Sequence, residues 1–252
     1  MPIDVRPVTI ITGAGRGIGA AIAVHLARSG HDIVVNYVND SVSAGEVVAE
    51  AQRHGVRAMA IAGDVSVDDD VCELFERCAS ELGRPTGLVN NAGLTAHVGD
   101  LADTPVDVVR RVLDVNLLGT VLCARRAVQV MSTHRGGFGG AIVNISSAAA
   151  TLGSAHEYVH YAAAKAGVDA LTVGLAKEVA ADGIRVNAVA PGLIRTDIHA
   201  AAGDPGRLER VLSRIPIGRA GEPIEVAPAV SWLLGPHSGY VTGTIIRVAG
   251  GL

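Results

Sequence analysis

The stretch Val8–Gly19, VTIITGAGRGIG, does most to decide the fold of this 252-residue chain. Its first five residues, VTIIT, are apolar or β-branched, as is typical of a short strand buried in a sheet. The glycine-rich loop TGAGRGIG follows and opens into an apolar helical pattern. Glycines permit a tight turn, and the N–H groups at a helix N-terminus bind phosphate. The stretch therefore predicts a dinucleotide site, with an ordinary tight turn between strand and helix as the alternative.

The rest of the chain repeats this alternation of strand and helix. Mostly apolar runs, which suit strands buried on both faces of a parallel sheet, occur at 8–12, 33–37, 58–62, 87–90, 141–146, 185–190 and 244–248. Helical patterns lie between them at 17–29, 41–54, 67–82, 104–132, 158–181 and 222–234. We therefore predict a single α/β domain over residues 1–252, a doubly wound, Rossmann-type parallel sheet of seven strands with helices on both faces.

Composition argues against several classes of protein. Hydrophobic residues make up 49% of the chain and charged residues 18%, which is too apolar for a disordered protein. A net charge of −4, the absence of a basic block and an aromatic content of 3% argue against a nucleic-acid partner. The uncharged stretch 136–155 has the length of a membrane span, but its Gly, Ser and Asn content favours a buried strand and loop. We expect neither nucleic acid nor a membrane as a partner.

The N-terminus and the cysteines indicate the compartment. The first ten residues, MPIDVRPVTI, lack the basic start and apolar run of a signal peptide, so we expect a cytoplasmic protein. The three cysteines are an odd number and form no CxxC pair, which argues against a disulfide framework or a thiolate zinc site. Buried packing is the expected role of these thiols.

The end of the second predicted strand bears on the choice of cofactor. Dinucleotide enzymes that prefer NAD place an acid there to bind the ribose 2′-OH, whereas this strand ends in Asn36 and Tyr37. Arg16, in the glycine loop, could bind a 2′-phosphate instead. We therefore favour NADP(H) as the cofactor, with NAD(H) possible if Arg16 is only a solvated loop charge.

The segment YAAAK places Tyr161 and Lys165 four residues apart in a helical pattern. Side chains at this spacing project from the same face of a helix. A phenol with an ordinary pKa of about 10 exchanges protons near neutral pH only when a nearby positive charge stabilises the phenolate. Lys165 can supply that charge, although the same pattern also occurs on solvated helices.

Six motifs occur in one order over residues 8–251, namely TGAGRGIG, Asn90-Asn91-Ala92-Gly93, Asn116, Ser146-Ser147, YAAAK and Pro191-Gly192. Together they resemble the short-chain dehydrogenase/reductase superfamily, including its 3-oxoacyl carrier-protein reductase-like and sugar dehydrogenase-like members. The resemblance implies an NAD(P)-dependent oxidoreductase that transfers a hydride between nicotinamide and a ketone or secondary alcohol. An NAD(H)-dependent alcohol or sugar dehydrogenase of the same fold is the alternative.

The resemblance also implies a role for each catalytic residue. Tyr161 would be the general acid in reduction and the base in oxidation, and Lys165 would bind the nicotinamide ribose and favour the phenolate. Ser147 would hydrogen-bond the substrate oxygen, although adjacent strand-end residues face opposite ways and the pattern leaves Ser146 open. Asn116 would hold a water in a proton relay behind the lysine.

The glycine loop and the resemblance together give the expected cofactor-binding residues, which are Gly13, Gly15, Arg16, Gly17, Ile18, Gly19, Asn36, Tyr37, Asp64, Val65, Asn91, Ala92, Gly93, Tyr161, Lys165, Pro191, Gly192, Ile194 and Thr196. A substrate lid is expected over 193–216, which contains His199 and Arg207. Its mixed composition selects neither acyl chains nor sugars. Relatives commonly form tetramers through the helices that carry Asn116 and YAAAK, so we expect a homotetramer acting on a small carbonyl or alcohol substrate.

A competing motif lies just before the tyrosine. Residues His156–His160 read HEYVH, a literal HExxH, in which two histidines and a glutamate can form the zinc site of a hydrolase. Because His160 immediately precedes Tyr161, one helix start would have to serve both a metal and a cofactor. We therefore expect no metal site and keep a zinc hydrolase as a remote alternative. A non-catalytic dinucleotide sensor is equally remote, because both Tyr161 and Lys165 are present.

Overall fold

The computed structural model describes residues 6–198 and 202–252, so His199 of the expected lid lies outside the described residues. Its strands are β1 (Val8–Ile11), β2 (Asp32–Tyr37), β3 (Ala58–Ala62), β4 (Gly87–Asn90), β5 (Gly140–Ile145), β6 (Ile184–Pro191) and β7 (Ile245–Val248). They form one sheet in the order β3-β2-β1-β4-β5-β6-β7, and every neighbouring pair is parallel. The predicted fold class is confirmed.

Helices cover both faces of this sheet. They are α1 (Gly17–Arg28), α2 (Ser41–Gln52), α3 (Asp68–Glu81), α4 (Val106–Leu113), α5 (Gly119–Met131), α6 (Ala149–Leu152), α7 (Val159–Val179), α8 (Arg207–Val211) and α9 (Pro223–Leu234). One apolar layer joins the sheet to α1, α2 and α9, and the other joins it to α3, α5 and α7. Predicted and observed strand ends differ by at most one residue.

The two layers follow from the apolar runs in the strands. Ile10 and Ile11 are both fully buried, yet Ile11 packs with α1 and Ile10 with α3, because successive strand residues point to opposite faces. Burial of one such side chain contributes about 1.5–3 kcal/mol. A strand that is apolar at every position is therefore stable only when both of its faces are covered.

The helix predicted over 104–132 is interrupted. A π-helical turn, Asp114–Leu118, separates α4 from α5. Inside it, the Asn116 side-chain amide donates to the carbonyl oxygens of Val112 (2.9 Å) and Leu94 (2.8 Å). The side chain thus competes for a carbonyl that an α-helix would use itself, and such π turns often lie at functional sites.

The prediction that the cysteines are buried is met in part. Cys78 and Cys123 are buried free thiols, whereas Cys72 is partly exposed, so the expectation of buried packing is wrong for that residue. Among the described residues, no helix is both long enough and apolar enough to cross a bilayer.

The order of the strands reverses between β1 and β4, and ligands of doubly wound sheets bind at the carboxyl ends of the strands beside such a point.

Candidate active site

A cleft of about 1200 Å³ opens at the carboxyl ends of the strands. That volume exceeds the upper range of an ordinary small-ligand pocket, about 1,000 Å³, and leaves room for a cofactor beside a substrate. Of the residues predicted for the site, all but Gly19 and Asn116 line this cleft. Residues that lie up to 183 positions apart, from Gly13 to Thr196, are thus brought to one surface.

The glycine loop is held from behind by the segment after β4. Asn91 Nδ2 donates to the carbonyl oxygens of Thr12 (2.9 Å) and Gly13 (3.0 Å), and Thr12 Oγ1 accepts from the Asn91 N–H (3.0 Å). Gly13 has a φ of +60°, which L side chains rarely adopt. At Gly19 a Cβ would lie 2.5 Å from Asn91 Nδ2, so this glycine is needed for close packing behind the loop.

The end of β2 is joined to the same loop. Asn36 is buried, its Oδ1 accepts from the Gly13 N–H (3.3 Å), and its Nδ2 donates to the Gly63 carbonyl oxygen (2.9 Å). The polar atoms of Asn36 therefore hold three segments of backbone together. As the sequence predicted, the strand does not end in a carboxylate.

Arg16 lies exposed in the glycine loop, close to the start of α2. Asp40 caps that helix by accepting from the Ser43 N–H (3.0 Å). Hydrogen bonds from Ser43 hold the pKa of the Asp40 carboxyl below its usual value, and the positive charge of Arg16 acts in the same direction. Arg16 thus faces the corner of the cleft where the Asp40 carboxylate already caps α2, and its guanidinium is the group there that can bind an anion.

Asp64, predicted to lie beside the adenine, is held by an arginine that the sequence did not point to. Its carboxylate accepts from Ser66 Oγ (2.7 Å) and from Arg111 Nη2 (2.7 Å), which reaches it from α4. Although burial acts in the opposite direction, these hydrogen bonds lower the pKa of Asp64. Arg111 lines the cleft as well.

Tyr161 and Lys165 occupy the first turns of α7, one above the other. Lys165 Nζ lies 5.7 Å from the centre of the Tyr161 ring and donates to the Ile145 carbonyl oxygen (2.8 Å). Burial raises the pKa of Tyr161, and a hydrogen bond with Ser147 acts in the opposite direction. Burial also lowers the pKa of Lys165 to about 8, against the opposing charge of Asp169. Both groups therefore titrate in a strongly desolvated setting.

The two adjacent serines face different partners. The Ser147 hydroxyl lies beside the Tyr161 phenol and accepts from the Ala149 N–H (3.1 Å). The Ser146 hydroxyl is buried behind the lysine, where it donates to the Lys165 carbonyl oxygen (3.4 Å). Of the two hydroxyls, that of Ser147 is the one beside the phenol.

Asn116 lies behind the cleft wall. Its Nδ2 is used by the two carbonyl oxygens described above, whereas its Oδ1 is buried and has no hydrogen-bond partner in the part of the chain that the structure describes. A Cβ at Gly93 would lie 2.7 Å from this oxygen and 3.5 Å from Lys165 Nζ. The glycine therefore leaves an amide oxygen and an ammonium group facing each other across a narrow space.

The HExxH residues do not converge on a common point. His156 precedes α7, has a φ of +63° and bonds Asp100 (2.8 Å) with an exposed ring. Glu157 pairs with Arg207 (2.6 Å), and His160 is buried in the first turn of α7. The motif needs both histidines on one helix, and only one of them is helical. Across residues 6–198 and 202–252, no group of three or more His, Cys, Asp or Glu side chains is arranged to hold a metal ion.

Comparison with known proteins gives the family. Residues 13–252 match a family model described as enoyl-(acyl carrier protein) reductase. The chain is 44% identical over 244 residues to an uncharacterised oxidoreductase, YgfF, of Escherichia coli (strain K12), with 97% of this chain and 99% of that protein covered. It is 39% identical over 246 residues to a 3-oxoacyl-(acyl-carrier-protein) reductase of Synechocystis sp., with 97% and 96% covered. The chain belongs to the short-chain dehydrogenase/reductase family.

Solved structures of similar chains agree with this family. A short-chain type dehydrogenase/reductase from Mycobacterium marinum matches with a TM-score of 0.92 at 32% identity, covering 98% of this chain and 96% of that one. A blue fluorescent protein from a metagenomic library, solved in complex with NADPH, matches with a TM-score of 0.88 at 34% identity, covering 97% of each chain. The predicted resemblance and enzyme class are therefore confirmed.

In this short-chain dehydrogenase/reductase, the sequence did not indicate three charged side chains of the site. They are Arg111 and Glu157, which line the cleft, and Asp169, which lies behind Lys165. Asp169 lies one turn beyond Lys165 and close to Ser146, and its Oδ1 is buried without a partner among the described residues. The spacing of four residues from Lys165 was a usable signal for Asp169. Nothing local could have joined Glu157 to Arg207, which lie 50 residues apart.

Proposed function

We propose that this chain acts as a single-domain, NADP(H)-dependent oxidoreductase that interconverts a ketone and a secondary alcohol. The observation that carries the proposal is the convergence of Ser147, Tyr161 and Lys165 in the cleft that also contains the glycine loop. One proton donor, one hydrogen-bonding hydroxyl and one buried ammonium group are the parts that proton transfer to a carbonyl oxygen requires.

The residues present fit a dinucleotide. The glycine loop and the N-terminus of α1 would hold the pyrophosphate, Asp64 and Val65 would lie against the adenine, and Lys165 would bind the nicotinamide ribose. Arg16, together with a β2 end that lacks a carboxylate, supports NADP(H) over NAD(H). The structure of the similar blue fluorescent protein with NADPH supports the same choice. When bound, the nicotinamide supplies or accepts the hydride.

The protein's own part of the reaction is proton transfer and charge stabilisation. During reduction the Tyr161 hydroxyl donates its proton to the carbonyl oxygen, and during oxidation the phenolate takes it back. The Ser147 hydroxyl donates a hydrogen bond to the same oxygen and so stabilises the charge that develops there. The Lys165 ammonium group, 5.7 Å from the centre of the Tyr161 ring, favours the phenolate electrostatically.

Replacement of the proton uses the space behind the lysine. The unpaired Asn116 Oδ1 and the Lys165 ammonium group face each other across Gly93. A water that accepts from Lys165 and donates to Asn116 would satisfy both groups. In this proposal the water passes protons from solvent toward Lys165 and on to Tyr161.

The test is a screen of NADPH and NADH oxidation over ketones, quinones, sugars and 3-oxoacyl thioesters. We expect turnover with at least one ketone class and a higher kcat/KM with NADPH than with NADH. Arg16→Ala should reduce that preference by about tenfold or more, since a charge-assisted hydrogen bond is lost. Arg28→Ala, which removes an exposed arginine outside the cleft, serves as the matched control. An unchanged preference in Arg16→Ala would remove Arg16 from this role.

We also infer a homotetramer. Ala163, Ala166 and Ala170 are exposed along one face of α7, and the half-exposed Leu118 lies at the start of α5. Small side chains let helices of neighbouring subunits approach closely, and exposed apolar side chains are stabilised when such packing covers them. Light scattering on the purified protein tests this, and a monomer would contradict it.

A further inference from the structure

Arg207, the first residue of α8, reaches from the lid into the catalytic end of the cleft. The side chain is about nine-tenths buried, and its Nη2 donates to Glu157 Oε2 (2.6 Å). Its guanidinium carbon lies 5.0 Å from the centre of the Tyr158 ring, and the Tyr158 ring stands edge-on to the Tyr161 ring at 5.4 Å. The positive charge of Arg207 is therefore close to the proposed proton donor, whose pKa it acts to lower.

Most of the hydrogen-bonding capacity of this guanidinium is unused. A guanidinium carries five N–H donors, and within the described ranges Arg207 makes a single side-chain hydrogen bond, the one to Glu157. Its Nε is buried and has no partner there. Leaving the buried Nε–H unpaired costs free energy that a purely structural ion pair would avoid. The arrangement indicates that a further acceptor completes the site.

The charges at this end of the cleft do not balance. The loop 152–161 and the lid segment 202–215 contribute Glu157, Arg207 and Arg214 to the lining as charged side chains, which is one positive charge in excess. Asp197 also lines the cleft but follows Thr196, which packs on the glycine loop: a Cβ at Gly17 would lie 3.4 Å from Thr196 Cγ2. Arg195, two residues before Asp197, lines the cleft as well, and because these two side chains carry opposite charges they leave the excess unchanged.

The other lining residues at this end are mainly apolar, and they include Leu152, Tyr158, Val211 and Ile215. A ligand that complements the surface has an apolar body and one negative charge. The planar fork of an arginine matches the bidentate geometry of a carboxylate or a phosphate. Of these two groups, the carboxylate carries the single negative charge that complements the excess.

We propose that the substrate of this enzyme is a carbonyl compound that also bears a carboxylate, and that Arg207 binds this carboxylate. The proposal rests on the proposed oxidoreductase function. Glu157 holds the guanidinium in place through one N–H and competes with the substrate for its charge. Arg207 is thus a specificity-determining residue, and Tyr161 remains the proton donor.

The experiment compares matched pairs of ligands, namely 4-oxo, 5-oxo and 6-oxo alkanoic acids, each beside its neutral methyl ester. Binding to the enzyme–NADP⁺ complex is measured by calorimetry, which needs no turnover, and kcat/KM is measured by NADPH oxidation. The wild type should prefer the acid over the ester by about tenfold or more for at least one chain length, since a site that pairs a buried charge discriminates strongly.

Three variants separate recognition from a structural latch between lid and loop. Arg207→Gln should abolish the preference for the acid while the ester is still bound. Glu157→Gln should increase the preference, because it removes the competing carboxylate. Arg210→Gln, one turn along α8 and paired with Asp204 outside the cleft, should leave the preference for the acid unchanged.

A structural latch would instead make Arg207→Gln and Glu157→Gln lower acid and ester activity alike, with the ratio of acid to ester activity constant. Thermal melting of each variant verifies folding. If Arg207→Gln unfolds, Arg207→Lys replaces it, and the preference for the acid should then fall because an ammonium group cannot bind a carboxylate bidentately.

The outcomes are distinct for the two levels of the proposal. Equal binding of acid and ester by the wild type at every length, or a preference that survives in Arg207→Gln, overturns the carboxylate site even if ketones oxidise NADPH. Selective binding of the acid with no NADPH oxidation by any ketone would keep the carboxylate site and refute the proposed reaction.

Discussion

The nucleotide half and the catalytic half of the cleft use their polar side chains in opposite ways. In the nucleotide half, both side-chain polar atoms of Asn36 and the Nδ2 of Asn91 bond backbone groups of the glycine loop and its neighbours. In the catalytic half, Asn116 Oδ1, Asp169 Oδ1 and Arg207 Nε are buried without partners among the described residues. One half is therefore a finished framework, and the other keeps reactive groups that only a ligand or water can satisfy. Changes in the first half should alter stability and cofactor binding, and changes in the second should alter turnover.

The largest effect is expected at the phenol. Tyr161→Phe removes the proposed proton donor without removing the ring, so kcat should fall by a factor of about 10²–10⁴, while the Kd for NADPH changes little. Stopped-flow or steady-state NADPH oxidation and fluorescence titration measure the two quantities. Tyr240→Phe, at a fully exposed tyrosine, is the matched control. A Tyr161→Phe enzyme with near-normal kcat would refute the assignment of catalysis to this half.

The two serines should differ next most. Ser147→Ala removes the hydroxyl beside the phenol and should lower kcat by about 10²-fold or more, as for the loss of one oxyanion donor. Ser146→Ala removes a buried hydroxyl that bonds the Lys165 carbonyl oxygen. It should mainly lower the free energy of unfolding, by about 0.5–1.5 kcal/mol. Denaturant unfolding and steady-state kinetics on both variants test the contrast, and a larger kcat loss in Ser146→Ala would reverse the assignment.

The same contrast explains how far the sequence alone could lead. The strands were predictable because residues such as Ile10 and Ile11 are apolar on both faces, and the glycine loop because its function needs several residues close together in sequence. The π turn at Asn116 was not predictable, because it depends on a side-chain hydrogen bond and leaves no mark on the apolar periodicity. The helix α8 has only five residues, too few for an apolar period to identify it, and the pair of Glu157 with Arg207 depends on how the lid folds back over the loop.

The HExxH motif shows the same limit from the other side. Its letters predict a metal site only if a helix carries both histidines, and the helical pattern of the sequence begins after His156. In the structure, α7 begins at Val159, and Glu157 forms an ion pair with Arg207. The local sequence was therefore sufficient to predict a site that is built from one continuous segment, as in the glycine loop. It was insufficient where distant segments meet, as at the substrate end of the cleft.

A framework residue should give the reverse phenotype of Ser147. Asn91→Ala removes two hydrogen bonds to the carbonyl oxygens of Thr12 and Gly13. The free energy of unfolding should fall by about 1–3 kcal/mol, and the Kd for NADPH should rise, because the glycine loop is less firmly held. With saturating NADPH, kcat should stay within about twofold of wild type if this residue acts only on the framework. Calorimetric melting and NADPH titration measure these effects, and a loss confined to kcat would break the division between the two halves.

The smallest effect is expected behind the lysine, as a shift in pH dependence. Burial lowers the pKa of Lys165 to about 8, and the Asp169 carboxylate opposes that effect by favouring the charged form. Burial raises the pKa of Asp169, and Arg247, from β7, acts in the opposite direction by favouring its ionised state. Asp169→Asn removes the negative charge, so the pKa of Lys165 should fall further. If ketone reduction needs the Lys165 ammonium group, the basic limb of the kcat/KM profile then moves to lower pH, while the rate on its acidic side stays close to wild type. Profiles of NADPH oxidation between about pH 6 and 9 measure this. A limb that stays in place, with only a uniform drop in rate, would show that Asp169 supports the helix and not the charge of Lys165.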